Sequence, residues 1–201
     1  MTYIAAAVGI FVLLAAVFAV GILTKKPEEH WTGAASALGL EYKTVFPAKS
    51  RITGTLDGHP VVVDHKRLGD PDTYSPRYLR IRVTAELNRE ISLDTVADSV
   101  AGVALDRALL NMYKTGDEAF DAKVRVMGDE EALPRMLTPE VQAWILGVVT
   151  ETPLGFRVSK GVVTGLVQER KADTAILTQA IRDTVTLAEH LERPWMPSQA
   201  P

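Results

Sequence analysis

Residues 78–87 read Tyr-Leu-Arg-Ile-Arg-Val-Thr-Ala-Glu-Leu, and apolar and polar side chains alternate along almost the whole stretch. Leu79 and Ile81 fall on one face of an extended chain, whereas Arg80 and Arg82 fall on the other. A period of two with a single apolar face is typical of an antiparallel strand that is buried on one side. We interpret the two arginines as a solvated strand face, and contact with anionic headgroups or a phosphate is the alternative.

Two β-hairpins are predicted on either side of this strand in the sequence. Their turns contain Asp57-Gly58 and Lys160-Gly161, since glycine adopts the positive φ that tight turns need. The predicted strands span residues 51–57 with 60–67, residues 156–159 with 162–169, and residues 122–127. Amphipathic helices are predicted near residues 28–38, 98–112, 139–148 and 174–191. Strands and helices that occur in blocks, without strict alternation, indicate the α+β class with an antiparallel sheet.

The stretch from residue 4 to residue 23 contains no charged or strongly polar side chain. Twenty helical residues span about 30 Å, which matches the hydrocarbon core of a bilayer. No lysine or arginine precedes the stretch, and it is longer than the apolar part of a signal peptide. The pattern therefore predicts a retained transmembrane helix instead of a cleaved signal peptide.

Two features in and beside this segment predict its orientation in the membrane and its contacts with lipids and other helices. Lys25 and Lys26 follow it directly, so the positive-inside rule places the rest of the chain in the cytoplasm. The two lysines are also candidate contacts for anionic lipids. Small residues four positions apart permit close approach of a second membrane helix. The candidate helix-contact residues are Ala5, Gly9, Ala15 and Ala19.

The predicted organisation has three parts. They are a transmembrane anchor at residues 1–24, a soluble α+β domain at residues 25–192 and a disordered tail at residues 193–201. The predicted fold class is therefore α+β, with an N-terminal transmembrane helix followed by a domain of antiparallel β-hairpins packed with amphipathic helices.

The composition argues against several classes of function. The 201 residues include 22 lysines and arginines against 25 aspartates and glutamates, for a formal net charge of −3, and no cysteine. The lack of cysteine excludes disulfides, a cysteine-ligated zinc site and a cysteine nucleophile. The acidic balance argues against nucleic-acid binding. His59 and His65 lie about 20 Å apart along one predicted strand, too far to share a metal, so we predict no metal and no cofactor.

Residues 115–121, Thr-Gly-Asp-Glu-Ala-Phe-Asp, form the most distinctive stretch of the sequence. In one interpretation Asp117 and Asp121, four residues apart on one face of a helical turn, form a carboxylate pair for a metal or for acid–base chemistry. The preferred interpretation is a capping box, in which Thr115 and Glu118 satisfy each other's backbone N–H groups. Asp117 and Asp121 are thus a candidate polar site, and no catalytic residue is assigned.

The pattern Thr-Gly-Asp-x-x-Phe-Asp resembles a motif in a group of uncharacterised bacterial single-pass membrane proteins. Leu38-Gly39-Leu40 at a helix end and the Thr-Gly-x-x-Asp-Gly hairpin at residues 53–58 are similar to features of the same group. The resemblance covers much of residues 31–190. It implies a bacterial origin and an N-terminal membrane helix, and it implies no activity.

The lack of a catalytic motif favours a membrane-anchored, non-enzymatic interaction module, such as an accessory subunit of a larger membrane complex. The alternative is a membrane-tethered enzyme or small-ligand binder that uses Asp117 and Asp121. The predicted partners are the lipid bilayer and other membrane proteins that bind through the transmembrane helix, and nucleic acid is not among them. The predicted location is the bacterial inner membrane, with a single pass and a cytoplasmic C-terminal domain.

Overall fold

The structure, a computed structural model, describes residues 29–45, 49–67, 77–87, 91–95 and 112–195. Its strands are β1 (Glu41–Val45), β2 (Lys49–Leu56), β3 (His59–Arg67), β4 (Arg77–Thr84), β5 (Ile91–Thr95), β6 (Val124–Gly128), β7 (Leu154–Ser159) and β8 (Val162–Gln168). Its helices are α1 (Glu29–Leu38), α2 (Glu118–Lys123), α3 (Leu133–Met136), α4 (Pro139–Glu151) and α5 (Thr174–Glu192). Short 3-10 turns occur at Glu169–Lys171 and Arg193–Trp195.

The described strands form one antiparallel sheet in the order β1-β2-β3-β4-β8-β7-β5-β6. Strands β1 to β4 follow one another across the sheet, and the β7–β8 hairpin is inserted between β4 and β5. Both predicted hairpin turns are found, with φ of 49° at Asp57, 83° at Gly58, 52° at Lys160 and 70° at Gly161. Positive φ at both turn residues is the geometry that matches the twist of antiparallel strands.

The strand predicted from the alternating pattern is β4, which lies near the centre of the sheet between β3 and β8. Leu79, Ile81 and Val83 are completely buried, and Arg80 and Arg82 lie on the opposite face. Each fully buried aliphatic side chain contributes about 1.5–3 kcal/mol relative to an exposed one. The alternation therefore determines which face of the sheet packs against the hydrophobic core.

Helices α1, α4 and α5 cover one face of the sheet, and the hydrophobic core lies between them and the strands. The N-cap of helix α5 is Asp173, whose carboxylate accepts a hydrogen bond from Ile176 N at 2.8 Å. The N-cap of helix α4 is Thr138, whose hydroxyl accepts a hydrogen bond from Val141 N at 3.4 Å. Each cap satisfies a backbone donor that a helix start leaves unpaired. Both helices lie where the sequence predicts them.

The structure completes the predicted architecture in one respect and corrects it in another. The hairpins belong to one continuous eight-stranded sheet, because β4 pairs with β8, which is distant in the sequence, and so joins them. Among the described residues, no helix is long and apolar enough to cross a bilayer. The longest of them, α5, has 19 residues, but it carries charged side chains such as Arg182 and Glu189.

The predicted N-terminal transmembrane helix, single-pass topology, inner-membrane location and bilayer binding are corrected accordingly, since the part of the chain that the structure describes contains no such helix. The predicted span at residues 4–23 lies outside the described residues. So do its associated candidates, Ala5, Gly9, Ala15, Ala19, Lys25 and Lys26. Residues 98–111 of the predicted helix and residues 196–201 of the predicted tail lie outside them as well.

Candidate interaction face

The second face of the sheet points away from the core, and we call it the open face. Apart from Tyr78, its described side chains are half-buried or exposed. Among its described charged side chains, seven are cations and three are anions, whereas the whole chain has a formal net charge of −3. In order across the sheet they are Glu41, Lys43, Arg51, Asp64, Lys66, Arg80, Arg82, Arg157, Asp94 and Arg125. The open face is therefore a basic surface on an acidic protein.

Asp64 lies at the centre of the cationic cluster on the open face. The register of β3 and β4 places it opposite Arg80, which donates two parallel hydrogen bonds, Nε to Oδ1 and Nη2 to Oδ2, both at 2.8 Å. Arg82 Nη2 lies 3.0 Å from Oδ2, and Arg51 Nη2 lies 4.0 Å from the same atom. One carboxylate balances only one of the three guanidinium charges, so the cluster keeps a net positive charge.

The electrostatics of this cluster follow from its geometry. Partial burial raises the pKa of Asp64, but the hydrogen bond from Arg80 and the charges of the surrounding arginines outweigh it, so the pKa lies below the ordinary value. The hydrogen bond to Asp64 in turn raises the pKa of Arg80. Both groups are therefore fully charged at neutral pH, and Asp64 holds the arginines in place.

A second ion pair crosses the open face between β7 and β5. Arg157 Nη2 donates to Asp94 Oδ2 at 2.8 Å, and the two residues are direct cross-strand partners. The side chains of Arg51, Arg82 and Arg157 are 47%, 38% and 49% exposed. These three guanidinium groups therefore remain accessible to a binding partner.

Apolar side chains lie between the charges of the open face. Val62, Val162 and Leu166 are half-buried there, although they belong to the solvent side of the sheet. Thr164 is the cross-strand partner of both Arg82 and Arg157, so it marks the centre between them. Arginines around half-buried aliphatic groups are typical of protein–protein interfaces.

The structure places Asp117 and Asp121 in one helical turn. Asp117 is the N-cap of α2, and its Oδ1 accepts hydrogen bonds from Ala119 N and Phe120 N at 2.9 and 3.0 Å. Asp121 Oδ1 accepts from the N–H and the hydroxyl of Thr115, both at 3.1 Å. The cap is therefore Asp117 instead of Thr115. Each carboxylate stabilises the turn through backbone donors, and a metal or acid–base role for the pair stays a prediction.

Replacing Asp117 by alanine is expected to lower the free energy of unfolding by about 1 kcal/mol, because two N–H groups at the start of α2 lose their acceptor. Asp117→Asn keeps an accepting oxygen, so we expect a clearly smaller loss. Urea denaturation followed by circular dichroism measures both variants. An Asp117→Ala protein of unchanged stability that loses a bound metal or ligand would contradict the structural interpretation.

His65 and His190 each pack against a tryptophan ring. The ring centroids of His65 and Trp31 are 4.8 Å apart, and those of His190 and Trp144 are 5.2 Å apart. Burial is the main cause that lowers the pKa of His190, so the neutral ring is favoured. Within the described ranges, no group of three or more histidines and carboxylates is arranged to hold a metal ion.

A buried polar cluster connects the end of α5 to the β2–β3 turn. Glu192 Oε2 lies 3.0 Å from His59 Nε2, and Glu192 Oε1 accepts from Glu86 N at 2.6 Å. His59 Nδ1 lies 3.0 Å from the carbonyl oxygen of Asp57, so both ring nitrogens face acceptors. Glu192 and His59 are only 7% and 9% exposed. The cluster therefore satisfies buried polar groups and fixes the end of the helix against the sheet.

The alternating pattern of residues 78–87 identifies Arg80 and Arg82, but it does not reveal the rest of the open face. Its Arg51, Asp64 and Arg157 all stand at polar positions of predicted strands. The signal that points to them is the recurrence of arginine on the polar side of several strands. Only the order and register of the strands show that these positions adjoin.

No known protein family matches the sequence, and no curated protein matches it. Among solved structures, the fold is similar to the crystal structure of the mycobacterial trehalose monomycolate transport factor A, TtfA. The two chains are 11% identical with a TM-score of 0.53, and the match covers 86% of this chain and 97% of TtfA. At this identity the likeness establishes a shared fold and nothing beyond it.

Proposed function

We propose that the protein is a non-enzymatic interaction module, an accessory subunit of a larger protein assembly, and that the open face is its docking surface. The observation that carries the proposal is the surplus of accessible cations on one sheet face of an acidic chain. The structural neighbour is named as a transport factor, and that name favours an accessory role over a catalytic one.

The chemistry of the open face favours an acidic protein surface as the partner. A guanidinium group binds a carboxylate through a planar fork of N–H donors. Among the described residues Arg82 donates to Asp64 through Nη2 alone, and its side chain is 38% exposed. Donors therefore remain for a second carboxylate. A basic face also attracts an acidic partner at long range and orients it before contact.

The alternative, an enzyme or ligand binder that uses Asp117 and Asp121, has weaker support. Oxygens of both carboxylates already accept hydrogen bonds from neighbouring backbone N–H groups. No third histidine or carboxylate of the described segments joins the two in a group that could hold a metal ion. We therefore place the function on the open face.

Substitution of Arg51, Arg82 and Arg157 by glutamine is expected to weaken partner binding at least tenfold. The change removes three exposed cations and keeps the bidentate Asp64–Arg80 pair. Affinity capture from cell extract with quantitative mass spectrometry compares the triple variant with the unmodified protein. The proteins lost from the variant should have acidic surfaces, and their capture should decrease at high salt because exposed charges are screened.

A matched control replaces Arg135, Arg182 and Arg193 by glutamine. These three arginines are exposed and lie outside the open face, so the net charge changes equally. We expect the control to capture the same partners as the unmodified protein. Equal loss in both triple variants would contradict a specific docking face, and so would retention of every partner by the open-face variant.

A further inference from the structure

A cleft of about 370 Å³ lies at one end of the sheet, where β4 and β7 begin and β5 and β8 end. Helix α2 and the end of α4 form its other walls. The β5–β7 ladder stops at the pair Asp94–Arg157. At the next position Thr95 Oγ1 accepts from Phe156 N at 2.8 Å and donates to Phe156 O at 3.3 Å. The Thr95 side chain thus takes the place of a backbone partner for Phe156. The end of β5 and the start of β7 both border the cleft.

Tyr78 lines this cleft with an unused hydroxyl group. The residue is 5% exposed, and its hydroxyl has no hydrogen-bond partner among the described residues. Buried polar groups in native proteins are nearly always hydrogen-bonded, because an unpaired one loses its water without compensation. The hydroxyl therefore leaves a hydrogen-bonding position in the cleft that a bound molecule can fill.

The charges around the cleft indicate what kind of partner this is. Lys123 and Lys171 both line it, and Lys171 forms no ion pair within the described part of the chain. Lys123 Nζ donates to the neutral Thr150 hydroxyl at 2.9 Å. The acidic residue of the lining, Asp94, is already paired with Arg157. The two lysines therefore leave the cleft with an unbalanced positive charge.

The remaining lining includes the apolar residues Val149, Leu154, Phe156 and Leu166 beside the polar Thr152 and Gln168. Small-molecule sites combine apolar walls with a few placed polar groups in volumes of about 300–1,000 Å³. We propose that the cleft binds a small organic anion with an apolar body. The body contacts the aliphatic and aromatic walls, the anionic group lies near Lys123 and Lys171, and an oxygen accepts a hydrogen bond from Tyr78.

The probe for this site is 8-anilinonaphthalene-1-sulfonate, which joins an apolar body to one anionic group and fluoresces when bound. Fluorescence titration of the full chain should give saturable binding. Tyr78→Phe should weaken it about tenfold, because one hydrogen bond is lost. The same variant should melt at an unchanged or higher temperature, because it also removes a buried hydroxyl that has no partner in the free protein.

The double variant Lys123→Gln/Lys171→Gln tests the charge requirement. It should weaken binding of the sulfonate at least tenfold and leave binding of N-phenyl-1-naphthylamine, the uncharged analogue, unchanged. Lys160→Gln is the control, since Lys160 lies in the β7–β8 turn at the opposite end of the same strands. It should bind both probes as the unmodified protein does.

Equal sulfonate affinity in the unmodified protein and both test variants would overturn the proposal. So would a Tyr78→Phe protein with a lower melting temperature and unchanged binding, because the hydroxyl would then serve stability alone. None of the substituted residues supplies a charge to the open face. Failure of the cleft proposal is therefore distinguishable from failure of partner capture.

Discussion

Gly165→Val should lower the free energy of unfolding by about 3 kcal/mol, the upper end of what overpacking a core costs. Gly165 lies on the buried face of β8, directly beneath α5. A Cβ atom there would collide with Thr184 Oγ1 and would lie 3.1 Å from Leu154 Cδ1. Thr184 is completely buried and donates to Ala180 O at 2.7 Å, so its side chain has no room to move away.

Gly147→Ala is the matched control for this substitution. Gly147 lies inside α4, and a Cβ atom there would meet nothing within 4 Å. Alanine favours a helix over glycine, so we expect a gain of up to about 1 kcal/mol. Urea denaturation followed by circular dichroism compares the two variants. Equal effects of the two substitutions would contradict the close packing of α5 on β8.

Glu192→Ala should destabilise the protein by about 3 kcal/mol, because it leaves a buried histidine and a backbone N–H without their shared acceptor. The acceptor contacts are those to His59 Nε2 and Glu86 N. Glu189→Ala is the control on the same helix. Glu189 is only half-buried, so its loss should stay within about 0.5 kcal/mol.

The double variant His59→Leu/Glu192→Leu removes both partners of the contact at once, so it can be compared with the loss of Glu192 alone. Replacing both partners of a buried hydrogen-bonded pair by apolar groups of similar shape can be close to neutral. We therefore expect the double variant to unfold at a higher urea concentration than Glu192→Ala. A Glu192→Ala protein as stable as the unmodified one would show that the cluster contributes nothing to the attachment of α5.

Much of the local structure is predictable because it depends on nearest neighbours in the sequence. Alternation identifies β4, and glycine at the turns locates the hairpins around Gly58 and Gly161. Strands β1 and β5 escape prediction although β6, which also has five residues, is predicted, since so short a run gives no decisive alternation. The pairing of β4 with β8 escapes it too, since their register depends on packing between distant segments.

The open face and the buried cluster differ in how far the sequence reveals them. Alternation assigns Arg80 and Arg82 to the polar side, but their contacts with Asp64 require the β3–β4 register. His59 and Glu192 are 133 positions apart and match no spacing rule. Such contacts arise from the tertiary fold and become visible only in the structure.

The most direct test of the open face as a docking surface is photo-crosslinking in living cells. A p-benzoylphenylalanine at Thr164 would stand between Arg82 and Arg157 on the open face, and one at Thr186 would stand on α5 on the other side of the sheet. Both threonines are half-buried, so the two positions are matched in accessibility. We predict crosslinks from Thr164 to an acidic protein and none from Thr186. Crosslinks from Thr186 alone would contradict the account.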